Sequence, residues 1–304
     1  MSDWRLETPI AFFIFNRPET TARVFAEIAR VKPPRLFVVA DGPRSDWHGE
    51  AERCAAARAA VEDIDWECKV ETLYSKRNLG CRERVSSGLD WVFEQTPEAI
   101  ILEDDCLPHP SFFRFCAGLL AHYRGDTRIG MINGSNFQFG RTRGESSYYF
   151  SRSAHVWGWA TWRRAWRFYD KTAVAWPTLR ENGQLAQVFP SATDYRYWRK
   201  IFDRVHRGEI DTWDYQWSLA LWGQSMLCIA PNVNLVSNIG FGKDATHTKI
   251  DGICSEMATK TMHFPLEHPA FVLPDSPADL FEMRHVFPTS PARRVLHKLR
   301  GLID

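Results

Sequence analysis

Three acidic side chains in a row are the strongest chemical signal in the sequence. Glu103, Asp104 and Asp105 directly follow the apolar run 99–102. Such a run is typical of a strand that is buried on both faces of a mainly parallel sheet, and ligands of open α/β sheets bind outside the carboxyl ends of the strands. Because adjacent carboxylates repel one another, the triplet favours a divalent cation held by oxygen ligands and substrate phosphates. The alternative is a solvated turn that caps a helix beginning near Pro110.

Polar residues also follow the three strands that the sequence predicts before this one. The predicted strands are 9–15, 35–40 and 69–74, and each precedes a segment with helical periodicity. Three such units leading to a fourth strand predict a doubly wound, mainly parallel α/β sheet flanked by helices. A turn or cap explains each polar strand end alone, but their recurrence indicates one ligand-binding edge. The polar residues are Asn16, Arg17, Asp41 and Asn78.

Phosphate-binding loops of the two commonest kinds are missing from the sequence. No GxGxxG follows the first strand, and no GxxxxGK[ST] occurs. Any phosphate is therefore expected to be held by a metal ion and by basic side chains.

The second half of the chain is rich in tryptophan. Shorter strands are predicted at 128–139 and 148–150, and no linker separates them from the first half, so they are expected to extend the same sheet. Trp157 and Trp159 lie in the aromatic segment 155–162, and Trp213 lies between Asp211 and Asp214. Aromatic faces beside carboxylates are typical of carbohydrate recognition, while the alternative is that these rings are core.

Composition bounds the class of protein. The chain has 304 residues, 44% of them hydrophobic and 25% charged, which is typical of a soluble globular enzyme or module. A formal net charge of +1 gives no indication of a nucleic-acid partner. Seven cysteines without a CxxC pair favour neither a disulfide framework nor structural zinc. With no signal peptide and no apolar run of about 20 residues, a cytoplasmic protein is expected.

The motifs of the sequence resemble those of a known enzyme family. The acid triplet with its preceding strand, followed by PHPSFF, is similar to the EDD segment and next helix of the animal N-acetylglucosaminyltransferases that initiate hybrid N-glycans. The likeness continues in the same order through FIFNRP, VVADG, RNLGCRE, GWATWRRAW, WDYQW and NIGFG. Those enzymes are inverting glycosyltransferases of the GT-A fold. The chain also resembles bacterial sugar transferases that use nucleotide-diphosphate sugars.

The resemblance implies a role for each motif. It implies a metal-dependent, inverting transfer from a nucleotide-diphosphate sugar, with UDP as the expected nucleotide and Mn²⁺, or else Mg²⁺, as the cofactor. A glycan, a lipid-linked glycan or a protein would be the acceptor. Asp214 would be the catalytic base and Asp211 the second candidate, because WDYQW lacks the two adjacent acids that the animal enzymes have there. The implied donor-binding residues are Phe15, Asn16, Arg17, Asp41, Asn78, Arg82, Glu103 and Asp104; the implied metal ligands are Asp105 and His247; the implied acceptor-binding residues are Trp157, Trp159 and Trp213.

The chain is expected to consist of three parts. Residues 1–125 form the donor half, residues 126–288 the acceptor and catalytic half of the same domain, and residues 289–304 a basic amphipathic tail. A tail of this kind is typical of peripheral contact with an anionic membrane surface, which would place the protein at the inner face of the membrane. The alternative is that the tail docks on the protein's own core or on another subunit.

Two other functions remain open at this point. A nucleotidyltransferase could use a similar sheet, but it is expected to carry a glycine- and lysine-rich phosphate loop, which FNRPET is not. A non-catalytic carbohydrate-binding module would use the acids structurally.

Overall fold

A single mixed sheet organises the chain. The computed structural model describes residues 4–189, 191–240, 254 and 257–287. Its strands are β1 (Ile10–Ile14), β2 (Arg35–Ala40), β3 (Lys69–Tyr74), β4 (Glu98–Glu103), β5 (Cys106–Pro108), β6 (Ile129–Asn133), β7 (Tyr148–Ser151), β8 (Trp159–Trp162), β9 (Leu227–Pro231) and β10 (Val236–Asn238). Its helices are α1 (Pro18–Val31), α2 (Glu50–Ala59), α3 (Cys81–Gln95), α4 (Pro110–His122), α5 (Arg163–Trp166), α6 (Trp176–Glu181), α7 (Ala192–His206), α8 (Asp214–Gly223) and α9 (Ser276–His285), with a 3₁₀ helix at Gln184–Val188.

The strand order brings the polar strand ends together. Within the described residues, eight strands form the order β3-β2-β1-β4-β8-β6-β9-β7, while β5 and β10 form a separate antiparallel pair. β1 pairs in parallel with both β2 and β4, with Phe13 opposite Glu103. The carboxyl ends of these three strands therefore lie side by side at one edge of the sheet. The predicted fold class, a mainly parallel α/β sheet flanked by helices, is confirmed.

Alternating side chains of β1 explain why helices cover both faces of the sheet. Ile10, Phe12 and Ile14 belong to the core beneath α1 and α4, whereas Ala11 and Phe13 belong to the core beneath α3 and α8. All five residues are almost completely buried. A strand that buries both faces has no polar position in its interior, which accounts for the uninterrupted apolar run in its sequence.

The predicted strand 128–139 is too long. β6 ends at Asn133, and the chain turns at Gly134, whose N–H donates to the main-chain oxygen of Gly158. Beyond this point the polar side chains point inward: Asn136 donates to the oxygen of Pro231, and Gln138 donates to Glu282. These inward bonds replace the ladder bonds that a continued strand would need.

A strand that the sequence did not predict fills the centre of the sheet. β8 inserts between β4 and β6, antiparallel to both, so that Trp159 lies opposite Ile101 and Asn133. β7 then joins the far edge antiparallel to β9. The second half of the described chain is thus continuous with the first half through the β4–β8 pairing.

A buried polar cluster attaches α9 to the sheet. Glu282 is 1% exposed and accepts hydrogen bonds from Gln138 and from Nε2 of His155, at 2.8 and 2.9 Å. Burial opposes its ionisation, but His155 and Gln138 outweigh burial and lower the pKa of Glu282. Asp279, one turn earlier, accepts from the hydroxyl of Ser151 on β7 at 2.6 Å.

Two further expectations from the sequence concern disulfide bonds and membrane-spanning helices. All seven cysteines lie among them and are free thiols. No helix in the described ranges has both the length and the apolar character that a bilayer crossing requires.

Candidate active site at the carboxyl ends of the strands

A crevice of about 430 Å³ lies where the carboxyl ends of β1, β2 and β4 meet. Most of the residues implied by the resemblance line it, although they come from segments up to 200 residues apart along the chain. Those lining the crevice are Phe15, Arg17, Asp41, Asn78, Glu103, Asp104, Asp105, Trp157, Asp211, Trp213 and Asp214.

The acid triplet is held by β1 and by the arginine that follows it. Asp104 accepts from the main-chain N–H of Phe15 at 2.9 Å. Nη1 of Arg17 lies 2.6 Å from Oδ2 of Asp105 and 3.4 Å from Oδ1 of Asp104. The first β-strand therefore fixes two of the three acids, and this bonding replaces the solvated turn that the sequence left open.

The triplet still lacks positive charge. Burial raises the pKa of Asp104 to about 7, Asp105 adds to the rise, and Arg17 opposes it. Burial also raises the pKa of Glu103 well above its usual range, with further contributions from Asp105, Asp104 and Asp214. One arginine thus leaves excess negative charge in a buried place, which is the electrostatic condition that a bound cation would relieve.

Asp105 has the chemistry of a divalent-metal ligand. Its carboxylate lines the crevice, and its main-chain oxygen accepts from the N–H of Ile239 at 2.8 Å. Gly240 lies so close to the carboxylate that a Cβ at that position would collide with Oδ2. Among the described residues no group of three His, Cys, Asp or Glu side chains is arranged to hold a metal. Mg²⁺-like ions, however, take one or two protein carboxylates and complete their coordination with phosphates and water, so Asp105 fits that role.

Asp41 holds the loop between β3 and α3 in place. Its carboxylate accepts from the main-chain N–H groups of Gly42, Leu79 and Gly80 and from the amide of Asn78. The side chains of Asp41 and Asn78 therefore fix the loop between β3 and α3 against the end of β2. Asp41 and Asn78 both line the crevice, and the Asn78 amide donates to the Asp41 carboxylate there.

Two residues implied as donor-binding do not line the crevice. The amide of Asn16 donates to Glu50 at 2.8 Å, which anchors the start of α1 to α2. Arg82 uses its main-chain N–H to bond Asp211, and its side chain is not among the lining groups. His247 lies outside the described residues, as does the tail 289–304.

Asp211 and Asp214 are placed differently. Asp211 accepts from the N–H groups of Cys81 and Arg82, so it caps the first turn of α3. Gly80, at φ +83°, lies beside it, and a Cβ there would be 2.7 Å from Oδ2 of Asp211. Asp214 begins α8 and accepts from the hydroxyl of Thr212 and, at 2.9 Å, from the N–H of Tyr215. Asp214 lines the same crevice as the triplet, and its charge contributes to the raised pKa of Glu103.

Comparisons with known proteins do not decide the reaction. No protein-family model matches the chain, and no curated protein matches it in sequence. A solved UDP-glucose pyrophosphorylase complexed with UDP-glucose is similar at a TM-score of 0.38 and 9% identity, covering 77% of this chain and 94% of that one. The 4-diphosphocytidyl-2C-methyl-D-erythritol synthase of Anaerococcus prevotii gives 0.33 and 11%, covering 64% and 84%. Both scores are low, so neither similarity carries an argument about activity.

The three tryptophans implied as acceptor-binding fall into two groups. Trp157 is half-buried and lines the crevice, and Trp213, although only 2% exposed, lines it as well. Trp159 is wrong as an acceptor-binding residue, because it is completely buried on β8. Its ring stacks on Trp213 with the centroids 5.5 Å apart and packs on Trp217 at 5.8 Å. Trp159 therefore supports the crevice wall from behind.

We expect Trp159→Ala to lower the free energy of unfolding by about 3–5 kcal/mol, because the change leaves a large cavity in the centre of the sheet. Trp159→Phe keeps most of the ring and removes an indole N–H that has no acceptor, so its cost should be far smaller. Urea denaturation gives the free energy of unfolding of wild type, Trp159→Ala and Trp159→Phe. Trp157→Ala is the matched control and should lose less stability; a larger loss for Trp157→Ala than for Trp159→Ala would contradict the assignment.

Several residues that line the crevice escaped the sequence analysis. They include Arg44, Arg84 and Asn238. Arg84 carried a detectable signal, since it is followed by Val85 and lies one turn before Gly88 on the buried face of α3, where an arginine is unusual. Asn238 comes from the distant β10, which only the pairing with β5 brings to the acid triplet.

Proposed function

We propose that this chain is a metal-dependent glycosyltransferase that moves a sugar from a nucleotide-diphosphate donor to a hydroxyl group of an acceptor. The observation that carries the proposal is that Asp214 lines the same crevice as Glu103, Asp104 and Asp105. The triplet suits a cation and a diphosphate, and Asp214 suits a hydroxyl group that must lose its proton.

The donor would lie along the carboxyl ends of β2, β1 and β4. Its diphosphate belongs at the triplet, where Asp105 would hold Mn²⁺ or Mg²⁺; a bound ion of this kind neutralises charge on a departing diphosphate. Arg17 adds a fixed positive charge at the same end. UDP is the nucleotide that the resemblance implies.

The transfer itself needs one base. The acceptor oxygen attacks the anomeric carbon, the bond from that carbon to the diphosphate oxygen breaks, and the acceptor proton passes to the carboxylate of Asp214. A single displacement of this kind inverts the anomeric configuration. Trp157 and Trp213 line the crevice, and the half-buried Trp157 would offer an apolar face to a sugar ring. A glycan, a lipid-linked glycan or a protein could supply the hydroxyl.

Nucleotidyl transfer is the second candidate. The two similar solved structures are a pyrophosphorylase and a synthase, and neither is named as a glycosyltransferase. Against it stands the chemistry of Asp214, because a phosphate nucleophile carries no proton that a base must remove. The acidic triplet and the sheet suit both reactions.

A panel of UDP-, dTDP-, CDP- and GDP-sugars, incubated with the protein and Mn²⁺, separates the candidates. A glycosyltransferase should slowly release the nucleoside diphosphate and free sugar, and chelation should stop the release. A nucleotidyltransferase should instead exchange labelled pyrophosphate into a nucleoside triphosphate when given the nucleotide sugar. A binding module should do neither, and that result would overturn the proposal.

A further inference from the structure

A second cavity lies between α6 and α7, away from the strand ends that form the crevice. Its volume is about 390 Å³, close to that of the crevice, and the two cavities share no lining residue. Most of the side chains that line this α6–α7 groove are charged or titratable: Arg180, Glu181, Arg199, Asp203, His206 and Arg207.

Helix α7 carries the groove on one face and a hydrophobic core on the next. Trp198, Phe202 and Val205 are buried in that core, where the ring of Trp198 meets Trp222 of α8 edge-on with the centroids 5.0 Å apart. The groove residues of α7 occupy the position after each of these, so they are aligned on the adjacent face of the helix; they are Arg199, Asp203 and His206. A ligand in the groove would therefore lie apart from Asp214, which begins α8.

Hydrogen bonds between the two helices fix the base of the groove. The carboxylate of Asp203 accepts from Nε1 of Trp176 at 3.0 Å and from Nη1 of Arg180 at 3.1 Å. Nδ1 of His206 lies 3.1 Å from the main-chain oxygen of Ala173. Because a carbonyl oxygen only accepts, Nδ1 carries a proton, and Nε2 remains for a ligand. The groove is thus shaped before anything binds in it.

Arg199 is the cation of the groove that is left for a ligand. It is half-buried, and it forms no hydrogen bond, ion pair or ring contact with any residue that the structure describes. Arg180 and Arg207, by contrast, are paired with Asp203 and Glu209. A half-buried guanidinium has lost part of its hydration, and here no described side chain replaces it. Its five N–H donors favour a group with two acceptor oxygens, such as a carboxylate or a phosphate.

The acids of the groove restrict the ligand further. Three arginines against Asp203 and Glu181 leave an excess of one positive charge, so the groove attracts an anion. The two carboxylates would repel a second negative charge, but they can accept hydrogen bonds from hydroxyl groups. Pro177 adds a half-buried apolar surface. A suitable ligand therefore combines one anionic group with several hydroxyl groups on a compact ring.

We propose that the α6–α7 groove binds an anionic saccharide, a sugar ring that carries a carboxylate or a phosphate group. The anionic group would lie on Arg199, and hydroxyl groups would donate to Asp203 and Glu181. The groove is a binding site outside the crevice, and the inference does not depend on the proposed reaction.

The test is the dissociation constant of five probes, each measured by calorimetry: trigalacturonate, glucose 6-phosphate, maltotriose, inorganic phosphate and a hexaglutamate peptide. Wild-type protein should bind at least one of the two anionic sugars more tightly than the other three probes, and the tighter of the two identifies the anionic group. Arg199→Met should weaken that binding by about 10- to 100-fold, because hydrogen bonds to a charged group are lost.

Arg196→Met is the matched control. Arg196 lies one turn earlier on α7, is exposed and does not line the groove, so its replacement makes the same change of charge on the same helix and should leave binding as in wild type. Since Arg199 bonds no described residue, Arg199→Met should fold. If it does not, Arg199→Lys serves instead and should weaken binding to a smaller extent, because an ammonium group lacks the planar fork.

The remaining outcomes contradict the inference. Equal binding by wild type and Arg199→Met would place the saccharide elsewhere, and equal weakening in Arg196→Met would reduce the effect to overall charge. Maltotriose bound as tightly as the anionic sugars would remove the role of charge. Inorganic phosphate or hexaglutamate bound as tightly would make the groove a general anion site. Binding of neither anionic sugar by wild type would overturn the proposal directly.

Discussion

Asp214→Asn should bind the donor as wild type does and lose about 10²- to 10⁴-fold in kcat, the usual range for loss of a general base. The amide has the same shape as the carboxylate and can still accept from Thr212 and Tyr215, so the start of α8 should be preserved. It cannot take up the proton of the acceptor hydroxyl. Steady-state kinetics with saturating donor, together with donor binding by calorimetry, measure the two effects separately.

Asp211→Asn is the matched control for this result. Asp211 already accepts from two N–H groups of α3, so its carboxylate serves the joint between the 211–214 segment and α3. We expect a modest loss of stability, about 1 kcal/mol as for other helix caps, and a much smaller fall in kcat. A dead Asp211→Asn enzyme beside an active Asp214→Asn enzyme would exchange the two roles. Normal turnover by both variants would place the base elsewhere.

Asp105→Ala should abolish transfer and the dependence on Mn²⁺. A methyl group has no lone pair for a cation, and a metal ion contributes several kcal/mol to stabilising a departing diphosphate, equivalent to a loss of about 10³-fold or more in rate. Arg17 keeps Asp104 as a partner at 3.4 Å, so the fold should survive. Electron paramagnetic resonance of Mn²⁺ in the presence of UDP reports binding independently of turnover.

Asp126→Ala provides the control for removing an aspartate that is paired with an arginine. Asp126 bonds Arg128 near the start of β6 and is not part of the crevice wall. Its replacement should leave both Mn²⁺ binding and transfer intact. Full activity of Asp105→Ala, or of wild type in excess chelator, would remove the metal from the proposed reaction.

The sequence predicts the donor-side sheet well because each signal there is local. β2 and β3 have the predicted bounds, 35–40 and 69–74, and β4 ends in the acid triplet as expected. A strand that is buried on both faces must be apolar along its whole length. Polar residues with a function can therefore occur only at its end. Because Arg17, Asp41 and Asp105 follow neighbouring strands, the sequence predicts that they lie together, and all three line the crevice.

Contacts made by residues distant in sequence could not be predicted from the sequence. Trp159 has the composition of a sugar-binding ring, and only the insertion of β8 between β4 and β6 shows that it is core. The 134–139 segment alternates phenylalanine with amide side chains as a strand can, but its amides bond to Pro231 and Glu282, which are 95 and 144 residues away from them along the chain.

The hydrogen bonds between Asp211 and the start of α3 restrict substitution at some nearby positions and not at others. The joint uses main-chain N–H groups of residues 81 and 82, which every residue except proline supplies, so drift in the side chain at position 82 leaves it intact. Position 80 has no such freedom, because a Cβ there would strike the carboxylate of Asp211, and position 211 must supply an acceptor for the two N–H groups. In chimaeras that exchange residues 4–125 between related chains, the contact between Asp211 and α3 should therefore form wherever Gly80 and Asp211 are both retained.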